Sequence, residues 1–151
     1  MLTQVENLAV NLMKEYGLIQ GGWRFTWCNT RRSYGWCNET RKTISLSKAV
    51  TPHRKHENIL NTIKHEIAHA LVGVHNSHNH LWKRKCVEIG AKPEPLARDI
   101  VSHEKIAKWV GVCPVCGHKS YAYRKKKIRS SCGICSPKFD ERFVIVWKDN
   151  I

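Results

Sequence analysis

The sequence predicts an α+β fold: an N-terminal helix, a three-stranded antiparallel meander, a helix carrying His and Glu, a following helix, and a small cysteine ribbon. Three observations carry this expectation. Residues 59–71 repeat apolar side chains at helical spacing around His65-Glu66-Ile67-Ala68-His69, an HExxH stretch. Residues 23–46 alternate in short runs broken by turn-forming residues. Two Cys-x-x-Cys knuckles stand in the last third of the chain. The 151 residues suit one domain of ordinary size or a domain with a small appendage.

Each element follows from its own pattern. In residues 3–16, Val5, Leu8, Ala9, Leu12 and Met13 fall on one helical stripe, and Gly17 is a natural stop. Residues 23–27 alternate, Asn29 to Ser33 is turn-rich, residues 34–37 form a second short run, and after Asn38-Glu39-Thr40 residues 42–46 alternate again. That succession predicts the meander. Thr51-Pro52 suits an N-cap with Pro at the first helical position, with a start nearer Glu57 as the other option. The helix continues to Val72 and Gly73 ends it. On it, Ile59, Leu60, Ile63, Ile67 and Leu71 lie opposite the histidines, giving a core face and a polar face. A His- and Asn-rich loop over 74–79 leads to a third helix over 81–89, closed by Gly90. Residues 92–95 read as a linker, residues 96–105 have no clear pattern, and the ribbon begins at Ile106. Domains of 1–105 and 106–151 are therefore expected.

Composition bounds the function. No run approaches the 18 apolar residues of a membrane span, and residues 1–17 are amphipathic rather than signal-like, which predicts a cytoplasmic protein, nucleoid-associated or otherwise intracellular. In that compartment the seven cysteines are expected as thiols or metal ligands; four fit a metal pattern, leaving Cys28, Cys37 and Cys86 as small core residues. Lys and Arg number 26 against 12 acids, a net charge of +14, which disfavours a purely structural role and points to a polyanionic partner.

The HExxH stretch carries the chemistry. Residues four apart share a helix face, so His65 and His69 can grip one zinc ion together. Glu66 sits one step round, placed to take a proton from an attacking water rather than to bind the metal. A catalytic zinc needs a third protein ligand and an open fourth position. His75, His78, His80 and Glu88 are the candidates downstream. His75 approaches the HExxHxxGxxH spacing, but Gly73 falls one place late and no Met follows Met13. Glu88 sits among Cys86, Val87 and Ile89 and reads as a solvated helix residue.

Here the sequence resembles the SprT-like metallopeptidases, the family that includes the Spartan proteases of DNA–protein crosslink repair. The resemblance runs from the strand Thr43-Ile44-Ser45-Leu46-Ser47 through His65-Glu66-Ile67-Ala68-His69-Ala70 to the next helix and a terminal zinc ribbon. It implies a zincin-like core. It also implies that the third ligand is the His of a His-Gly-x-x-aromatic motif, which matches His78-Asn79-His80-Leu81-Trp82 and points to His78, with His80 as the alternative. The chain departs from the motif at Asn79, where Asn is the next-best residue for a positive φ.

Cys113-Pro114-Val115-Cys116 and Cys132-Gly133-Ile134-Cys135 place four thiolates on two tight turns, which satisfies tetrahedral zinc and leaves no open site, so this second zinc is structural. Residues 121–124 and 143–147 read as ribbon strands. Residues 101–151 hold 11 basic and 4 acidic residues, and Lys119, Arg124, Lys125, Lys126, Lys127 and Arg129 interleave with Tyr121 and Tyr123. Cations for phosphates beside rings for bases suit single-stranded or frayed DNA, bound without sequence specificity. Arg31 and Arg32 would extend the patch if they faced the same way.

Two functions are expected from these residues. One is a zinc endopeptidase, with two zinc ions per chain, whose activity the resemblance directs to DNA-bound or DNA-crosslinked proteins. The other is a non-catalytic nucleic-acid-binding ribbon protein with a structural or vestigial HExxH site.

Overall fold

The structure is a computed structural model that describes residues 1–151. The chain is a mixed α+β protein that divides into two compact units, residues 1–100 and 101–151.

In the first unit, helix α1 (Leu2–Glu15) buries Val5, Ala9 and Met13, the stripe its sequence spacing sets. Gly17 ends it in the left-handed region at φ 74°. Three short strands follow: β1 (Arg24–Cys28), β2 (Gly35–Asn38) and β3 (Thr43–Ser47).

These strands are not a meander. Their order is β1-β3-β2, with β1 parallel to β3 and β2 antiparallel to it. The physical reason lies in β3, the one strand whose five residues are all buried. A strand covered on both faces belongs at the centre of a sheet, and the connection between β1 and β2 is long enough to pass across it. Its polar residues are satisfied there: Ser45 Oγ lies 2.7 Å from Thr26 Oγ1 of β1, and Ser47 Oγ donates to the carbonyl of Thr30.

Thr51–His53 forms a single 3-10 turn, and helix α2 (His56–Val72) starts after it, so the later of the two possible starts is the correct one. Ile59, Ile63 and Ile67 of α2 are buried against Ile44 and Leu46 of β3, while Leu60 and Leu71 are half-buried. Helix α3 (His80–Glu88) adds Trp82 and Cys86 to the same core. Cys86 is the small core thiol expected, whereas Cys28 and Cys37 are only half-buried; all seven cysteines are free.

The second unit opens with the short helix α4 (His103–Ile106). Its sheet has the order β5-β4-β6, all antiparallel, with β4 (Trp109–Val112) central between β5 (Lys119–Ala122) and β6 (Val146–Asp149). The expected strands are thus displaced by two or three residues, and the central one was not anticipated. Trp109-Val110-Gly111-Val112 is too short for a periodic signal, yet Val110 and Gly111 are its buried positions. Gly111 is required by packing, since a Cβ there would lie 2.5 Å from Ile145 Cγ2 and 2.8 Å from the Trp147 ring.

No helix is long and apolar enough to cross a membrane. The core assignment has a direct consequence. Ile63 is fully buried and Val87 is 65% exposed. Ile63→Ala is expected to lower unfolding free energy by about 2–5 kcal/mol, and Val87→Ala to change it by less than about 0.5 kcal/mol, both read by urea denaturation.

Candidate metal centre

Helix α2 places His65 and His69 one turn apart on one face. Its C-terminus is set by Gly73 at φ 94°, where a Cβ would lie 2.6 Å from the His75 ring, so only glycine lets the chain reverse at once. A 3-10 turn (Val74–Asn76) then delivers Ser77 and His78 back beneath the helix. The Nε2 atoms of His65, His69 and His78 form a triangle with every side 3.2 Å.

That triangle is not a hydrogen-bonded cluster in any ordinary sense. Three neutral imidazoles meeting through one nitrogen each cannot all find a donor within the group, because each Nε2 offers either one proton or one lone pair. A cation at the centre removes the conflict. Tetrahedral Zn–N distances near 2.0–2.1 Å require neighbouring nitrogens about 3.3–3.4 Å apart, close to the separation seen. The three histidines therefore fit a metal ion and, supplying three donors, leave one position open. Burial pushes the His65 imidazole down to about 3, with His69 and His78 adding to the effect, and pushes His69 down to about 4. Both rings are thus held neutral, the form that binds metal.

The other candidates stand apart from this group. His80 is exposed at the start of α3, and His75 is exposed with its Nε2 3.3 Å from Asn76 Nδ2. Glu88 is exposed and paired with Lys85.

Two neighbours set these imidazoles in place. Trp82, wholly buried, stacks on His69 with an interplanar angle of 24° and meets His65 and His78 edge-on at centroid distances of 4.7 and 4.6 Å. Its Nε1–H donates to the His65 carbonyl at 3.4 Å. The sequence shows only an aromatic there; that it floors all three imidazoles is a tertiary fact. Asn79 departs from expectation. Its backbone is extended at φ −72°, and its side chain caps α3 by accepting from the N–H groups of Leu81 and Trp82. The positive φ falls instead at Ser77, at 47°, immediately before His78. Asn is here for its carbonyl oxygen, not for a left-handed backbone.

Glu66 is buried beside this group, and burial pushes its carboxyl up to about 8. Strand β2 crosses it closely: a Cβ on Gly35 would lie 2.8 Å from Glu66 Oε1 and 2.9 Å from Thr62 Cγ2. His65 and Glu66 line a cleft of about 400 Å³ together with Tyr34, Gly35, Leu96 and Asp99. Strand β2 is an edge strand. Because the Tyr34 carbonyl accepts from Ser47 N–H, alternation leaves the N–H and C=O of Gly35 and Cys37 on the side away from β3.

In the second unit, the Sγ atoms of Cys113, Cys116, Cys132 and Cys135 all lie within 4.8 Å of one another. Two of the separations are 3.9 and 3.6 Å, bracketing the roughly 3.8 Å that tetrahedral Zn–S bonds of about 2.3 Å require. Each knuckle closes its own turn, Gly117 N–H to the Cys113 carbonyl and Ser136 N–H to that of Cys132. The backbone N–H of Cys116, helped by that of Val115, lowers the Cys113 thiol toward the thiolate that binds metal, while burial and the neighbouring sulfurs raise that of Cys135. Four sulfurs so placed could hold a metal ion and would leave a tetrahedral one no open position.

Of the basic residues expected to face nucleic acid, Lys119, Arg124, Lys125, Lys126, Lys127 and Arg129 are all exposed. Arg129 makes two hydrogen bonds to the Glu141 carboxylate, which spends its charge locally. Tyr121 and Tyr123 are half-buried rather than free platforms; Tyr123 packs edge-on against His103, and Lys125 Nζ stands 5.6 Å over the Trp109 ring. His103 and Trp109 were not singled out in the sequence, since they lie outside the span between the knuckles. Arg32, weighed above as an extension of this patch, lines the cleft of the first unit.

Among protein-family models, that of the SprT-like family matches residues 6–104, about two thirds of the chain. The search of curated proteins finds no match.

The role of Asn79 can be tested by stability. Asn79→Ala is expected to cost about 1 kcal/mol through the lost cap, and Asn79→Gly only a few tenths. Ser77→Gly should stabilise by about 1 kcal/mol by relieving the left-handed backbone. Thermal denaturation of the three variants measures this; stabilisation by Asn79→Gly instead would place the positive φ at 79.

Proposed function

The chain belongs to the SprT-like family, and from that premise we propose that it is a zinc-dependent endopeptidase acting on proteins bound or crosslinked to DNA. The observation that carries the reading is the meeting of three imidazoles beside a buried glutamate, in a cleft bordered by a free strand edge.

His65, His69 and His78 would hold the ion. Zinc in such a site supplies Lewis-acid polarisation of the scissile carbonyl and brings the pKa of water toward neutrality. Glu66 is the general base: its carboxyl takes the proton of the attacking water and later hands it to the leaving amine. Burial alone favours the protonated form of Glu66, and an ion held by the three imidazoles would shift it toward the carboxylate that accepts the proton. Gly35 and Cys37 offer main-chain groups to an extended peptide laid against β2, fixing the scissile bond by strand addition. The closeness of Gly35 to Glu66 brings that peptide over the base.

The Cys₄ group would hold a second, structural zinc and so order the second unit, which carries a charge of +7. Lys125, Lys126 and Lys127 are exposed and lie next to Tyr123, which supports contact with a nucleic-acid backbone. Confinement to DNA is how a peptidase of relaxed specificity would be restrained. The alternative of a purely binding protein leaves the buried Glu66 and its cleft without a use.

Glu66→Gln is expected to keep both metals and lower cleavage of a DNA-crosslinked protein by roughly 10²–10⁴-fold, followed by gel assay; undiminished cleavage would contradict the role of Glu66. Replacing Lys125, Lys126 and Lys127 by Glu should weaken single-stranded DNA binding and reduce the slope of log K against log salt by about two, measured by fluorescence anisotropy.

A further inference from the structure

Residues 92–99 have no helix or strand, yet they form one wall of the cleft that contains His65 and Glu66. Such a segment would ordinarily be mobile, since nothing in its own backbone holds it. Here both ends are pinned. At the start, Lys92 N–H donates to Asn61 Oδ1 of α2 at 2.8 Å. At the far end, the Asp99 carboxylate takes two hydrogen bonds from Arg54, Nε at 2.6 Å and Nη2 at 2.9 Å. Tyr34 O–H donates to the Asp99 carbonyl at 2.9 Å.

Arg54 is built into the first unit rather than laid on it. Its side chain is 3% exposed. Nη1 donates to Thr62 Oγ1 at 2.8 Å, one turn before Glu66, and the guanidinium lies 4.3 Å from the Tyr34 ring centroid. Arg54 therefore ties segment 92–99 to the helix that carries the metal ligands and to the entry of β2. The Arg54 hydrogen bonds hold the Asp99 carboxyl below the usual carboxylate range, consistent with a well-formed pair.

Between the pins, Pro95, Leu96 and Ala97 turn an apolar surface to the cleft. Leu96 is 81% exposed and so contributes nothing to the core. A lone exposed Leu is unremarkable on a protein surface. This one stands on a fixed wall of the cleft that the proposed base and Gly35 of the strand edge also line.

We propose that segment 92–99 is the specificity-determining wall of the cleft, with Leu96 packing against an apolar side chain of a peptide laid along β2. Arg54, Asp99 and Tyr34 are positioning residues that hold this wall. The inference rests on the peptidase reading for its biological meaning, but not for its test.

The test uses zinc-loaded full-length Glu66→Gln, which separates binding from cleavage. Its affinity is measured by fluorescence anisotropy for a labelled alanine–glycine decapeptide carrying one central Leu, and for the same peptide carrying Ser. The Leu peptide should bind roughly tenfold more tightly. Added Leu96→Ser should abolish the preference. Added Asp99→Asn or Tyr34→Phe should reduce the preference and speed tryptic cleavage after the exposed Arg98 under native conditions, while amide hydrogen exchange within α2 stays unchanged. Equal affinity for the two peptides, or a preference that survives Leu96→Ser, overturns the wall's role. Unchanged cleavage after Arg98 in both Asp99→Asn and Tyr34→Phe overturns the clamp. Because no readout depends on turnover, a chain without peptidase activity would still decide the question.

Discussion

Three imidazole nitrogens held 3.2 Å apart are an arrangement that a folded protein has reason to avoid. The three rings are partly withdrawn from water, none can satisfy the other two, and the carboxyl of Glu66 beside them is itself buried. A cation at their centre would give each ring nitrogen a partner and favour the ionised form of the carboxyl. Much of the first unit serves to hold them there. Helix α2 sets two ligands at one-turn spacing, Gly73 permits the reversal, and Asn79 starts α3 so that Trp82 lies under all three rings. The hydrophobic core binds α2, α3 and β3 into one body, which gives the ligands their rigidity.

In the proposed function the cleft extends that logic to substrate. Strand β2 approaches Glu66 so closely that only glycine fits at position 35, and the same strand keeps an unpaired edge. Another part of the lining is an irregular segment held at its two ends by Asn61 and by the buried Arg54. In the second unit the folding problem is solved differently. It has few buried apolar side chains, and its four cysteine sulfurs take the place of a core.

Local pattern made the helices legible. The apolar stripes of α1 and α2, and the glycines at 17, 73 and 90, all act within a turn or two of chain, which is the range over which periodicity speaks. His65, Glu66, His69 and the cysteine knuckles were legible for the same reason. His78 was reached through a resemblance, because its approach to the other two depends on how the loop folds back. Strand order was not legible: alternation says that 24–28, 35–38 and 43–47 are strands, but not that the last of them lies between the other two. Nor was the role of Asn79, since capping and left-handed backbone select the same residue type. The cleft wall at 92–99 was invisible because it is made by contacts reaching 45 and 65 residues along the chain.

The most direct measurement is the metal content of the purified protein and of His78→Ala, by elemental mass spectrometry. Two zinc ions per chain falling to one on substitution is the predicted result. One per chain in both proteins would mean that the imidazoles share no ion, and the catalytic account would be wrong.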